Sequence, residues 1–444
     1  MKAALILAVA AVAWGSDGSG GVSPIPLSLK RAVEIATSRE GNANLQIAGE
    51  AVKQAQARSA ETRAALLPDV ESYFTDQSRT QNLAALGIGV RTIPIPGFVF
   101  PTFVGPFTTT DARITGQQSV FDFSSIRRYQ ASKAGVSAAR SDLDQTAEQV
   151  AAQVARAYLG GVKADTDLDT AQANVNLSEA LLKQAENEKA AGTGTGIEVT
   201  RARVQLANDR QHLLEAQNAR RAAHLRLLRA MNLRLDTDVQ LTDKLRYQPV
   251  DEVALEQARA QALQSRPDYK AQQDRERTAG LTASATRLER LPTVSAFGDY
   301  GALGTGIDSS LPTRTVGITV RVPLFDGARR DARRAESASQ YRAEKTRSAD
   351  LKEQIELDVR LALDSLASAE DEVKVAREGL ELAQNELAQA RRRYDAGVAT
   401  GVEVTDAQTR LERARDNQTT ALYNHSIARL DLAQAMGKVR STVQ

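Results

Sequence analysis

Three histidines, one glycine-rich run and the carboxylates are where this 444-residue chain could do chemistry. His212 and His224 are twelve positions apart, too far for a local metal site, and His425 falls in a packed helical pattern where a core imidazole is the usual explanation. Gly192-Thr193-Gly194-Thr195-Gly196 has the composition of a phosphate-cradling loop. Such loops follow a strand and carry a lysine or a βαβ context, whereas this run follows a long helical pattern and reads as a turn. The chain has no cysteine, which excludes disulfides, thiolate metal sites, a cysteine nucleophile and a lipidated N-terminal cysteine. Glu403 and Asp406 are three apart and share a helix face, which by itself describes two solvated carboxylates. No catalytic set emerges, so the reading is a non-enzyme with no metal and no cofactor. The net charge of +2 gives no field for nucleic acid.

The elements that position these residues are written twice. At an offset of 205, Gly192 to Val199 lies over Gly397 to Val404, and Ala230-Met231 over Ala435-Met436. Upstream the register shifts, with Val120-Phe121-Asp122 over Leu324-Phe325-Asp326 and Leu67-Pro68 over Leu291-Pro292. The first copy carries an insertion around Asn82 to Thr110. Repeats this long are too large for solenoid units and indicate a duplicated domain.

Each copy ends in a helical hairpin. In the second, Ile355, Val359, Ala362, Leu366, Ala369, Val373 and their successors to Tyr394 step by fours and threes, the 3.5-residue seam of a coiled coil. The first copy repeats the pattern from Val150 to Ala185. A solvated spacer would suit this seam. However, a second apolar set, Leu357, Leu361, Val375 and Leu382, gives the helix neighbours on both sides and suits a closed ring.

Thr315 to Leu324 alternates apolar and other residues, the period of a strand with two different faces. Val294 to Ala302, Val70 to Phe74 and Ile114 to Val120 alternate similarly, giving two hairpins, one per copy. All nine phenylalanines lie in or between these strands, as in a membrane barrel with aromatics at its interfaces. Arg127-Arg128 and Arg329-Arg330 follow the strand ends, where lipid head groups and a solvated helix start are equally good explanations. The apolar run Ala3 to Trp14, closed by small residues at Ala13 and Gly15, reads as a secretory signal. It is shorter than the roughly 20 apolar residues of a membrane-spanning helix, and no later segment qualifies.

Together these features resemble the TolC-like outer-membrane efflux proteins over nearly the whole chain from Leu27 to Gly437. The fold implied is mainly α with a small β part. Duplicated coiled-coil hairpins form an α-barrel in the periplasm, and four transmembrane strands per subunit contribute to a β-barrel shared by a homotrimer in the bacterial outer membrane. The layout implied is a signal peptide (1–15), an N-terminal periplasmic segment and helix (16–66), a first transmembrane hairpin with a long external loop from Gln77 to Thr110 (67–123), and a first helical hairpin (124–232). An equatorial linker (233–253), a helix (254–291), a second transmembrane hairpin (292–325), a second helical hairpin (326–437) and a tail (438–444) follow.

The function implied is a passive exit duct of a tripartite efflux pump or type I secretion system, served by a periplasmic adaptor and an inner-membrane transporter. The competing reading is a non-channel periplasmic coiled-coil adaptor or scaffold. By resemblance, the hairpin tips Gly192, Thr193, Gly194, Thr195 and Gly397, Val398, Ala399, Thr400 meet the adaptor. Glu403 and Asp406 form an acidic ring at the periplasmic aperture, and Tyr394 latches that aperture through a hydrogen bond to Glu198. An arginine that some members place beside the latch is here Ala399.

Overall fold

The computed structural model describes residues 25–38, 41–87, 101–250 and 254–443. The signal expected over 1–15 lies outside them, as do Phe98 and Phe100 of the first-copy insertion. The duplication is visible as two helical hairpins of nearly equal size. In the first, α3 (Phe123–Ala190) turns into α4 (Gly196–Ala230). In the second, α7 (Arg329–Asp395) turns into α8 (Gly401–Ala435). At 1.5 Å per residue the long arms are about 100 Å.

The coiled-coil seams hold these arms. Ile355, Val359, Ala362, Leu366, Ala369 and Val373 are buried on α7, and Val150, Val154, Gly161 and Ala164 on α3. Small residues alternating with larger ones let the paired helices approach. The second apolar set on α7, Leu357, Leu361, Val375 and Leu382, is exposed in the single chain.

Helices α1 (Leu29–Thr37) and α2 (Ala43–Ala64) pack on α3, and α5 (Leu255–Ser265) and α6 (Pro267–Leu288) on α7. Helix α6 packs on both α3 and α7, joining the two copies. At the α5–α6 corner Arg266 pairs with Asp268 at 2.7 Å and with Asp358 of α7 at 2.8 Å. The segment before α1 and the segment after α4 meet in a two-stranded parallel clip, β1 (Ile25–Leu27) with β4 (Val239–Leu241). The buried Tyr158 hydroxyl lies 2.8 Å from both the Leu27 carbonyl and the Asp243 carboxylate, fixing the clip to α3.

Strands β2 (Asp69–Asn82), β3 (Phe103–Phe121), β5 (Thr293–Gly304) and β6 (Leu311–Arg321) form one antiparallel sheet in that order, with β2 and β6 at open edges. The loop expected from Gln77 to Thr110 is shorter than that. The ladder continues through Gln77↔Thr109 and Arg79↔Phe107 to Asn82↔Phe103. On the β2 side, Gln77 to Asn82 are polar on both faces, so alternation could not reveal that strand's upper half. Among the described residues no helix is long and apolar enough to cross a membrane.

Candidate aperture and membrane face

Both hairpin tips use the same stop signal. Gly192 and Gly397 adopt the left-handed conformation that closes a helix without a Cβ penalty. Thr193 N donates to the Glu188 carbonyl and Val398 N to the Arg393 carbonyl, each at 3.0 Å, the paired bonds of a glycine-terminated helix end. The tips diverge at the next helix start. Glu198 accepts from the Thr195 amide at 2.8 Å and the Thr195 hydroxyl at 3.0 Å, a capping box on α4. Those bonds, the amide first, hold its carboxyl below the ordinary range. Glu403, the equivalent residue of the second tip, instead pairs with Arg393 at 3.2 Å. Asp406 is exposed one turn further along α8.

Tyr394 does not meet Glu198 as expected. Its hydroxyl donates to Glu188, one turn before Gly192 in the last turn of α3, while Glu198 is occupied by its own helix cap. Gln184 reinforces this contact between hairpins, donating to Glu188 at 3.1 Å and to Asp395 at 3.2 Å. Burial and then the Glu188 carboxylate push the Tyr394 hydroxyl far above its ordinary value, so it remains a donor. The Glu198 side chain lies close by, against Gly401 at the start of α8.

Above the tips, the contact between hairpins turns polar. Ser178 and Asp209 hydrogen-bond inside the first hairpin, and Gln408 reaches in from α8 to donate to the Ser178 hydroxyl at 2.8 Å. All three are buried, with 1 %, 3 % and 1 % exposure respectively. Continuing along α8, burial followed by Asp209 raises the Glu412 carboxyl, and burial followed by Asp167 raises that of Asp416. The seam pattern places Ala383 where the first copy has Ser178, so a comparison of the copies carried a signal that apolar periodicity alone did not.

The sheet has two unlike faces, fixed by its register. Val316 lies beside Gly298, Gly298 beside Gly116 and Gly116 beside Val70, and the rungs to either side align Ile318 with Ala296, and Tyr300 with Ile114. This apolar face is open, with Val316 83 % exposed. The opposite face carries Glu71, Asp111, Arg113, Asp299, Thr315 and Thr319. There Arg113 reaches Asp299 at 2.6 Å, Asp111 at 3.1 Å and Thr313 at 3.3 Å. One apolar face and one polar face is the pattern of a strand set between lipid and an aqueous lumen.

The model of the outer membrane efflux protein family matches residues 35–233 and 258–438, one segment in each copy. The chain belongs to that family. As an outer membrane efflux protein it resides in the bacterial outer membrane. The pyoverdine export outer membrane protein OpmQ of Pseudomonas putida is 24 % identical over 419 residues, covering 92 % of this chain and 85 % of the relative. The Campylobacter jejuni CmeC outer membrane channel superposes with a TM-score of 0.79 at 16 % identity, over 92 % of this chain and 85 % of that one. VceC of Vibrio cholerae gives 0.77 at 17 % identity, over 92 % and 96 % of the two chains. The open Neisseria gonorrhoeae MtrE channel gives 0.77 at 17 %, over 92 % and 88 %. CmeC and MtrE are outer membrane channels, and membership of an outer membrane efflux family weighs against the scaffold reading.

Proposed function

We propose that three copies of this chain form a passive exit duct, with a shared twelve-stranded β-barrel in the outer membrane and an α-barrel tunnel below it. The sheet with one apolar face, one charged face and two unpaired edges carries this reading. Unpaired backbone groups in lipid cost several kcal/mol each, and closed bacterial barrels have about eight strands or more, so one copy is not enough. The exposed stripe of Leu357, Leu361, Val375 and Leu382 supplies the helical contact between copies.

At the periplasmic end, Glu403 and Asp406 repeated by symmetry line the aperture with negative charge and favour cations. Tyr394 and Glu188 latch the two hairpins of each subunit, with Glu198 beside them. The tips, Gly192 to Thr195 and Gly397 to Thr400, dock a periplasmic adaptor that links the duct to an inner-membrane transporter, which provides the energy. The pyoverdine exporter among the relatives supports small-molecule export over protein secretion.

Single-channel conductance in a planar bilayer tests this function. Discrete steps are expected from the membrane-extracted protein, with a cation preference that falls in a Glu403→Ala, Asp406→Ala variant. A water-soluble protein that produces no steps would overturn the duct.

A further inference from the structure

The lower rim of the apolar face ends in an unusual way. A bulge between Ser119 and Phe121 shifts the register by one, so that Phe121 pairs with Val294 and joins the apolar face instead of the polar one. Phe121, Val294 and Val320 then lie side by side, and the chain beyond β6 extends the rim with Leu324 and Phe325, 92 % and 90 % exposed. Directly beneath stands a belt of arginines from three elements: the starts of α3 and α7 and the end of α6.

Its acids are already used. Glu289, with its side chain only 10 % exposed, pairs with both Arg128 and Arg333. Asp331 pairs with Arg290, and Asp326 with Arg330. That leaves Arg287, Arg329 and Arg334 without a carboxylate partner among the described residues, and Arg127 held only by neutral Gln130 at 2.8 Å. Arg127 also follows exposed Phe123 and Ile126 on one helical face, apolar groups above and a guanidinium below.

We propose that this rim is a docking collar for anionic phospholipid head groups of the periplasmic leaflet, with Arg127, Arg287, Arg329 and Arg334 holding the phosphates. It rests on the sheet being membrane-inserted as described above. The apolar rim fixes the height of the collar at the end of the acyl chains, where, past the ester carbonyls, the phosphate is the first charged group met. A guanidinium fork matches phosphate oxygens in pairs. Four unpaired cations per copy favour a head group with net negative charge over a zwitterionic one, whose amine cancels part of the attraction. Each basic side chain at an anionic surface is worth about a five-fold preference.

Full-length protein reconstituted in equal parts phosphatidylglycerol and phosphatidylethanolamine, then extracted mildly, tests the collar by native mass spectrometry of the retained lipid. Retention of phosphatidylglycerol is expected to exceed that of phosphatidylethanolamine by about five-fold or more. The preference should disappear in an Arg127→Gln, Arg287→Gln, Arg329→Gln, Arg334→Gln variant. Flotation of the same samples with the vesicles separates the two readings. Protein that floats but retains both lipids equally, or a variant that keeps the wild-type preference, overturns the collar alone. Protein that stays in the aqueous fraction overturns both the collar and the barrel.

Discussion

Glu188 and Arg393 occupy equivalent positions in the two repeats, and this reversal of charge gives the two tips different work. Arg393 draws Glu403 away from a helix-capping role, whereas Glu188 repels an acid, leaves Glu198 to cap α4 and takes the Tyr394 hydroxyl from the other hairpin. A hydrogen bond to a charged acceptor contributes about 1.5–3 kcal/mol, enough for roughly a ten-fold or larger change in a closed-to-open ratio. Tyr394→Phe and Glu188→Gln are therefore each expected to raise resting conductance several-fold in bilayer recordings. Combined, they should do no more than either alone, because they remove one bond; an additive double variant would mean that the two residues act separately.

Glu198 is expected to behave as a cap and not as the latch acceptor. Its Ala variant loses both bonds to Thr195, a change that typically costs about 0.5–2 kcal/mol at a helix start. Faster amide exchange over residues 196–200 should result, with little change in resting conductance. Because the folded carboxyl is held below its ordinary value of 4.5, the cap is fully present above that value and is lost as pH falls through the lowered one. Exchange at this turn should rise in that acid window in the wild type and stay flat in the variant.

The difference between Glu188 and Glu198 shows where sequence reading stops. The hairpins, the strands of the sheet and the turn at each tip follow from periodicity and glycine placement, which are local properties of the chain. The acceptor of Tyr394 is decided by how two hairpins sit side by side and by which carboxylate is already engaged, and neither is local. The substitution of Ser178 for the Ala383 of the other copy was a legible hint of the polar layer. Its partner Gln408 comes from a helix 230 positions away, and no spacing rule reaches that far. The upper rungs of the first hairpin, from Gln77↔Thr109 outward, were missed for the opposite reason, since β2 is polar on both faces there and has no alternation to read.

The polar layer should make the contact between hairpins sensitive to pH. Glu412 faces Asp209, Gln408 and His212, and Asp416 faces Asp167, Lys163 and His212. Both carboxyls are raised above their ordinary values of 4.5 and 3.8, so their contribution is full below those values and is lost as pH rises through the raised ones. Closed-state occupancy in bilayer recordings should thus fall as pH climbs from about 4 towards neutrality. A Glu412→Gln, Asp416→Asn variant, which cannot acquire these charges, should flatten that part of the profile. An unchanged slope would assign the pH response to other groups.

Phe297 is a large aromatic on the face of the sheet that carries Arg113 and Asp299, and its ring lies across Gly317 on the neighbouring strand. A Cβ added at Gly317 would fall 2.5 Å from the ring's Cζ, closer than atoms can pack. The glycine's missing side chain is filled by the ring, a cross-strand pairing that fixes strand register where a glycine alone would leave it loose. Gly317→Val should push the ring off and reduce the yield of heat-modifiable oligomer on gels. Adding Phe297→Ala to that variant removes the clash and should recover part of the yield, whereas Phe297→Ala alone should lower it by uncovering the glycine. Equal loss in the double and Gly317→Val variants would mean that the valine is excluded by the backbone, and that the aromatic is not what occupies the glycine's space.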